Sequence, residues 1–227
     1  MSALTQPIET ISSEIFYPES DGLPMADNTE QFKWIVTIKE NLDALLPDAF
    51  VAGDLFWYPV EKKPNLKQAP DVLVAFGRPK GKRGSYKQWE EKGIAPQVVF
   101  EILSPGNRAI EMIKKDHFYQ RYGAEEYYLY DPETNDITGW IYQDGKFEDI
   151  EDMQGWVSPR LGIRFEQTAE TLVIFRPDGK RFLTFQELEA RAVAAEARAE
   201  EAEAKLQTKN SEIERLKQRL KELGVEP

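Results

Sequence analysis

The chain has 227 residues, a formal net charge of −11 and no cysteine, a length that suits one mid-sized domain with an appendage or two small domains. Its 41% hydrophobic and 11% aromatic content excludes a wholly disordered chain, and the lack of cysteine excludes disulfides, zinc ribbons, iron–sulfur clusters and thiol catalysis. One histidine, His117, cannot build a multi-histidine zinc site, so any metal takes mostly oxygen ligands, which points to Mg²⁺ or Mn²⁺.

The opening MSALTQPIETISSEIFYPES has no basic start and no long apolar stretch, so it does not read as a secretory signal. The longest apolar runs are too short to span a bilayer, and the expectation is a cytoplasmic protein without a membrane partner. Apolar residues at helical spacing between Asn28 and Leu46 predict a helix, capped by Asn28 or Thr29 and closed by Pro47. Short strand-like segments follow at Phe50 to Val60, Asp71 to Phe76 and Val98 to Leu103. A helix from about Arg108 to Tyr122 stops at Gly123, and Tyr127 to Tyr130 reads as a buried strand. The segments Thr138 to Tyr142, Phe147 to Ile150, Ile163 to Phe165 and Leu172 to Phe175 read as antiparallel hairpins. This order predicts an α/β (α+β) fold: a central mixed sheet flanked by helices, with extra strands appended.

The last stretch differs in kind. Between Phe185 and Gly224 there is no proline or glycine, and a seven-residue repeat runs through it. One seam position takes Phe185, Ala192, Ala199, Leu206, Ile213 and Leu220. The other takes Leu188, Ala195, Ala202, Lys209, Leu216 and Leu223. Sustained heptads among charges predict a coiled-coil helix and a homo-oligomer; a single solvated helix is the plainer reading. From Gln186 onward ten acids face eight bases, so this segment carries −2 and the body carries −9. The expected division is a domain over 1–184 and a coiled-coil helix over 185–227.

Two carboxylates occupy unusual places. Asp71 opens an apolar strand directly after Pro70, and Glu101 sits inside Val98-Val99-Phe100-Glu101-Ile102-Leu103. A charge inside an apolar strand costs several kcal/mol unless it is paired, hydrogen-bonded or bound to metal. Alone, Glu101 reads equally well as half of a core salt bridge. Two carboxylates on neighbouring strands can hold Mg²⁺ together with a phosphate and water. Between them lies a basic loop with Arg78, Lys80, Lys82, Arg83 and Lys87, interleaved with Tyr86 and followed by Trp89. It suits a grip on a DNA backbone with stacking on bases, or simply a mobile surface loop. The acidic balance of the chain weakens non-specific nucleic-acid binding but leaves room for a locally basic groove.

The run Pro70-Asp71-Val72-Leu73-Val74, then Val98 to Pro105, then Lys115-x-x-x-Tyr119, then Glu126-Tyr127-Tyr128-Leu129-Tyr130-Asp131-Pro132 resembles the bacterial Uma family of restriction-endonuclease-type proteins, within the PD-(D/E)xK nuclease superfamily. The resemblance spans roughly Ile8 to Glu187. It implies a restriction-endonuclease-like core and Mg²⁺- or Mn²⁺-dependent hydrolysis of DNA. Asp71 and Glu101 match the motif acids that hold the metal. Leu103 stands where the superfamily motif has its lysine; Lys115 on the next helix matches the basic residue of Uma-type sequences. Glu111, one turn earlier, stands where an aspartate is expected. Thr29-Glu30-Gln31-Phe32 lacks the histidine found near the first helix in many relatives, with Glu30 a loose substitute. Ser104 could reach the metal's surroundings or simply shape the Ser-Pro-Gly turn. The expected catalytic set is therefore Asp71, Glu101 and Lys115. The alternative is a nuclease-like interaction module, inactive or weakly active, clustered by its coiled coil.

Overall fold

The structure is a computed structural model that describes residues 15–20, 22, 24–106 and 109–223. Most of the opening segment, including Ile8, and also Arg108 and Gly224, lie outside the described residues, so the readings placed there stay with the sequence. In chain order the elements are α1 (Thr29–Leu45), β1 (Ala49–Gly53), β2 (Trp57–Tyr58), β3 (Val72–Phe76), β4 (Tyr86–Lys87) and β5 (Val98–Ile102). Then come α2 (Ala109–Tyr122), β6 (Glu126–Asp131), β7 (Asp136–Gln143), β8 (Lys146–Asp149), β9 (Arg164–Gln167), β10 (Leu172–Phe175) and α3 (Phe185–Glu222). None of the helices among the described residues is long and apolar enough to cross a membrane.

α1 starts where the Asn28 side chain accepts the Gln31 amide at 2.8 Å, so Asn28 is the N-cap. Its buried residues Gln31, Trp34, Ile35, Ile38, Asn41 and Leu42 recur at three- and four-residue steps and give it one inward face. The central sheet has six strands in the order β1-β3-β5-β6-β7-β8. β5 and β6 run parallel, joined by α2 as a crossover; every other neighbouring pair is antiparallel. The fold is α+β, a mixed central sheet with helices, an appended β9–β10 hairpin and a long C-terminal helix, as the sequence leads one to expect. Two details differ. The expected single strand from Phe50 to Val60 breaks at Asp54, whose φ of +46° turns the chain out of the sheet. The basic loop contains a strand, β4, which pairs in parallel with β2.

Strand alternation sorts the sheet into two faces. Val72, Val74, Val98, Phe100 and Ile102 pack against Trp34, Ile35, Ile38 and Leu42 of α1, with Phe165, Leu172 and Ile174 from the β9–β10 hairpin. On the other face Leu73, Ala75, Val99 and Tyr127 pack against Phe118 and Tyr119 of α2, with Trp57 and Tyr86. α2 ends at Gly123, whose φ of +106° a side chain would strain and whose amide closes on the Tyr119 carbonyl at 3.2 Å. By its internal contacts the chain divides into two units, Met1–Phe182 and Leu183–Pro227. The second is built on α3. A capping box opens it, with the Thr184 hydroxyl accepting the Glu187 amide and the Glu187 carboxylate accepting the Thr184 amide. No residue of α3 is buried.

Candidate active site

Glu101 is the fourth residue of β5 and only 2% exposed. Its neighbours Phe100 and Ile102 face α1, so alternation turns Glu101 toward α2. Asp71 precedes β3 by one residue and is 8% exposed. The antiparallel register pairs Val72 with Phe100; one further step sets Asp71 opposite Glu101 on the same face. Asp71 Oδ2 accepts the Ile102 amide at 2.6 Å, so the carboxylate extends the ladder just ahead of the start of β3. From α2, Lys115 Nζ lies 2.7 Å from Glu101 Oε2, and Tyr119, one turn on, donates its hydroxyl to Glu101 Oε1. Lys114 and His117 on the same helix are exposed.

The charges explain one another. Burial raises the Asp71 carboxyl well above the ordinary range, and the neighbouring Glu101 charge adds to it; Lys115 and the Ile102 amide only partly offset them. For Lys115, burial pulls its pKa down, yet the Glu101 and Asp71 carboxylates outweigh burial, so its ammonium is held more firmly than an ordinary lysine's. Burial and Glu101 together lift the Tyr119 phenol well above its usual value, which keeps it a proton donor at neutral pH. The site is therefore two opposed acids, one cation and one phenol, enclosed between a sheet and a helix.

A family model described as "Putative restriction endonuclease", Uma2, matches residues 31–167, which runs from the third residue of α1 through β9 and takes in all four of these side chains. The chain belongs to the Uma2 family. Membership places it in a nuclease family, and the matched span ends before α3. No curated protein matches the chain. Among solved structures it is similar to a "putative nuclease belonging to DUF820" from Anabaena variabilis, at 16% identity over 58% of this chain and 72% of that one, with a TM-score of 0.45.

In this Uma2-family chain the donor set suits a hard cation. Two carboxylates face each other, burial and then the Glu101 charge raise Asp71, and Asp71 Oδ1 accepts no hydrogen bond among the described residues. Among the described residues no group of three His, Cys, Asp or Glu side chains could hold a metal ion. A cation held by these two acids would take its other ligands from water, substrate phosphate or backbone carbonyl oxygens.

Around the site the structure also places residues whose part the sequence left open or did not name. Glu30 turns outward, where it pairs with Lys33 at 3.1 Å and accepts the Trp34 indole N–H at 3.1 Å. One helical step away Gln31 is buried, and its amide donates to the Ile102 carbonyl at 2.8 Å. Its oxygen accepts the Asp27 amide at 2.8 Å, and Ser104 donates its hydroxyl to Asp27 at 2.5 Å. Ile102 is thus held on both sides, by Asp71 and by Gln31, which fixes the end of β5 beside Glu101. Ser104 belongs to this brace. Glu111 lies exposed in the first turn of α2. Tyr119 was visible in the Lys115-x-x-x-Tyr119 spacing but carried no assigned part; a tyrosine four residues from a lysine on one helix face was the available signal.

The basic loop is largely neutralised by acids from outside it. Arg83 pairs with Glu91 at 2.6 Å, and Arg78 reaches the same carboxylate at 3.7 Å. Lys80 pairs with Asp43 at 2.8 Å and Lys87 with Glu90 at 3.2 Å. Among the described residues Lys82 alone of the five lacks a carboxylate partner. Tyr86 cannot stack on a base: it is fully buried, with its hydroxyl on the Ile94 carbonyl at 2.8 Å. Trp89 packs against Tyr17.

Proposed function

We propose that the chain is a Mg²⁺- or Mn²⁺-dependent endodeoxyribonuclease that hydrolyses DNA phosphodiester bonds at Asp71, Glu101 and Lys115. The observation that carries this reading is the register that sets Asp71 opposite Glu101, with the Lys115 ammonium against Glu101. Asp71 and Glu101 would hold the cation, which when bound supplies Lewis-acid polarisation of a phosphate oxygen and a water of lowered pKa. Lys115, kept protonated by both acids, would donate to a non-bridging phosphate oxygen and offset the charge that builds there in the transition state. Tyr119 fixes the orientation of Glu101 by holding one carboxylate oxygen. The enclosure between α2 and the sheet limits bulk water around these groups, which strengthens their electrostatic effect. In the basic loop Lys82 is free to contact a phosphate, whereas Arg78, Lys80, Arg83 and Lys87 would exchange a carboxylate partner for one. We also read α3 as a self-association helix. The test is relaxation or linearisation of supercoiled DNA by the full chain with Mg²⁺ or Mn²⁺, which EDTA should abolish.

One observation favours a second reading. Both oxygens of Glu101 are already occupied by Lys115 and Tyr119, and Leu103 replaces the motif lysine, so Glu101 is internally satisfied without a cation. This is the arrangement expected of a nuclease-like interaction module that no longer cleaves. Calorimetric titration with Mn²⁺ separates the readings: no heat of binding together with no cleavage of any nucleic acid supports the module.

A further inference from the structure

We infer that α3 pairs with α3 of a second copy of this chain as a parallel, in-register, two-stranded coiled coil. The inference rests on the self-association reading of α3 and adds its stoichiometry, direction and register. α3 spans Phe185–Glu222, about 57 Å at 1.5 Å per residue. Its seam is exposed throughout, with Leu206, Ile213 and Leu216 each about half exposed. An isolated helix with such an edge is marginal in water, and burial of the edge is what stabilises it.

The direction follows from the charges that flank the seam. With Phe185 and its heptad successors at position a, position e takes Glu189, Glu196, Glu203, Asn210 and Lys217. Position g takes Arg191, Arg198, Lys205, Glu212 and Arg219. In a parallel pair each g residue meets the e residue five positions later on the other helix. Arg191 then faces Glu196, Arg198 faces Glu203, and Glu212 faces Lys217. By symmetry each contact occurs twice, and no like charges meet across e and g. An antiparallel pair with full overlap, Phe185 opposite Leu223, sets g against g and e against e. It brings Arg191 to Arg219, Lys205 to Lys205 and Glu203 to Glu203, and these repulsions offset its attractive contacts, Arg198 to Glu212 and Glu189 to Lys217. The single helix supports the same choice. Its internal ion pairs, Glu201–Lys205 and Glu214–Lys217, leave Arg191, Glu196, Arg198, Glu203 and Glu212 without an ion-pair partner among the described residues.

The seam agrees with two strands: Ile213 at a followed by Leu216 at d is the dimer-favouring choice. Lys209 at d meets its own copy in this register. Its stem can carry the ammonium outward, and a polar seam residue weakens the pair while penalising slipped registers. In such a pair both chains enter from the same end, so two copies of the Asp71–Glu101 site are tethered to one another.

The chain has no cysteine, so introduced thiols report neighbours without background. In the full-length chain, sedimentation should give a dimer, and Ala192→Cys and Leu220→Cys should each oxidise to a disulfide-linked dimer. Two charge variants supply a second arm that leaves the seam intact. Glu196→Arg with Glu203→Arg, and Arg191→Glu with Arg198→Glu, should each weaken self-pairing, and their mixture should form the mixed dimer in several-fold excess. A monomer at tens of micromolar would overturn self-association itself. A trimer would overturn the two-stranded state. A dimer in which neither thiol cross-links to its own copy, while Ala192→Cys cross-links to Leu216→Cys, would overturn the parallel direction and leave self-association standing.

Discussion

Glu101 and Glu126 lie on the two adjacent parallel strands β5 and β6, and both are almost fully buried. Among the described residues the hydrogen-bond donors to Glu126 are all neutral: the Tyr128 hydroxyl at 2.9 Å, the Ser158 hydroxyl at 2.5 Å and the Arg160 amide at 2.7 Å. Burial raises its pKa and these hydrogen bonds oppose the rise. Nothing in that arrangement asks for a further partner; it ties the Ser158 turn to the sheet. Glu101 instead has a cation and a phenol on its own oxygens and a second acid directly across the strand boundary. Burial of an acid therefore does not mark a reactive site here. What separates the two is the second carboxyl opposite Glu101, whose repulsion adds to burial in raising Asp71 and is only partly offset by Lys115.

That contrast is broken most directly by exchanging the roles of the two residues. Glu101→Ala should lower DNA cleavage by about a thousandfold or more. Glu126→Gln should leave the Mg²⁺-dependent rate near wild type while reducing stability by about 1–3 kcal/mol, because donors built for a carboxylate lose one acceptor. Plasmid cleavage and urea unfolding of the same two variants check both halves. A cleavage loss in Glu126→Gln as deep as in Glu101→Ala would end the distinction between a structural and a reactive acid. The lysines sharpen it next. Lys115→Ala should cost about a hundredfold in rate, whereas the exposed neighbour Lys114→Ala should change it little. Equal losses would reject Lys115 as the motif lysine's replacement.

The same pair shows what could be read from residues alone. Asp71 and Glu101 were legible because each breaks an apolar strand, and the family motif joined them. Glu126 stands in an equally apolar run, Glu126 to Tyr130, yet its burial was not legible: Ser158 and the Arg160 amide come from a loop thirty-odd residues away, and no periodicity announces them. Gln31 was missed for a related reason. Its place beside the end of β5 depends on how α1 crosses the sheet, and a rotation of one residue exchanges it with Glu30. The helices and most strands followed from periodicity and from Asn28, Pro47 and Gly123. The break at Asp54 and the pairing of β4 with β2 did not, because both are set by tertiary contacts. The basic loop was read as free charge since its counter-ions, Asp43, Glu90 and Glu91, lie outside the run of bases.

A smaller effect follows from the raised Asp71 carboxyl. The folded chain binds that proton more tightly than the unfolded chain does. Its contribution to stability is therefore complete below the ordinary carboxylate range and is lost as pH rises through the raised value. Without metal, thermal stability should decline over that rise. Mg²⁺ should reduce the decline, because a cation binds only the deprotonated pair. Asp71→Asn keeps an acceptor for the Ile102 amide and removes the like charge, so it should flatten the pH slope and gain about 1 kcal/mol near neutrality while abolishing cleavage. Scanning calorimetry in EDTA across pH measures this, and an unchanged slope in Asp71→Asn would show that the two acids do not oppose each other.

The smallest change expected is at Tyr119, and it tests whether Glu101 needs to be held as well as charged. Tyr119→Phe removes one hydroxyl and keeps the ring that packs on Trp57 and Tyr127. If the hydroxyl only satisfies a buried carboxylate, its loss should destabilise the fold by about 1 kcal/mol and leave cleavage per folded molecule unchanged. If it orients Glu101 toward the cation, as its place on the oxygen opposite Lys115 suggests, the concentration of Mn²⁺ giving half-maximal cleavage should rise by about tenfold, with a smaller change in the rate at saturating metal. The second outcome is expected. Glu101 is tied to α2 through both its oxygens, one on Lys115 and one on Tyr119, and releasing the second leaves the carboxylate free to turn about its contact with Lys115. A metal titration of Tyr119→Phe that superimposes on wild type would reduce Tyr119 to the role that Ser158 plays for Glu126.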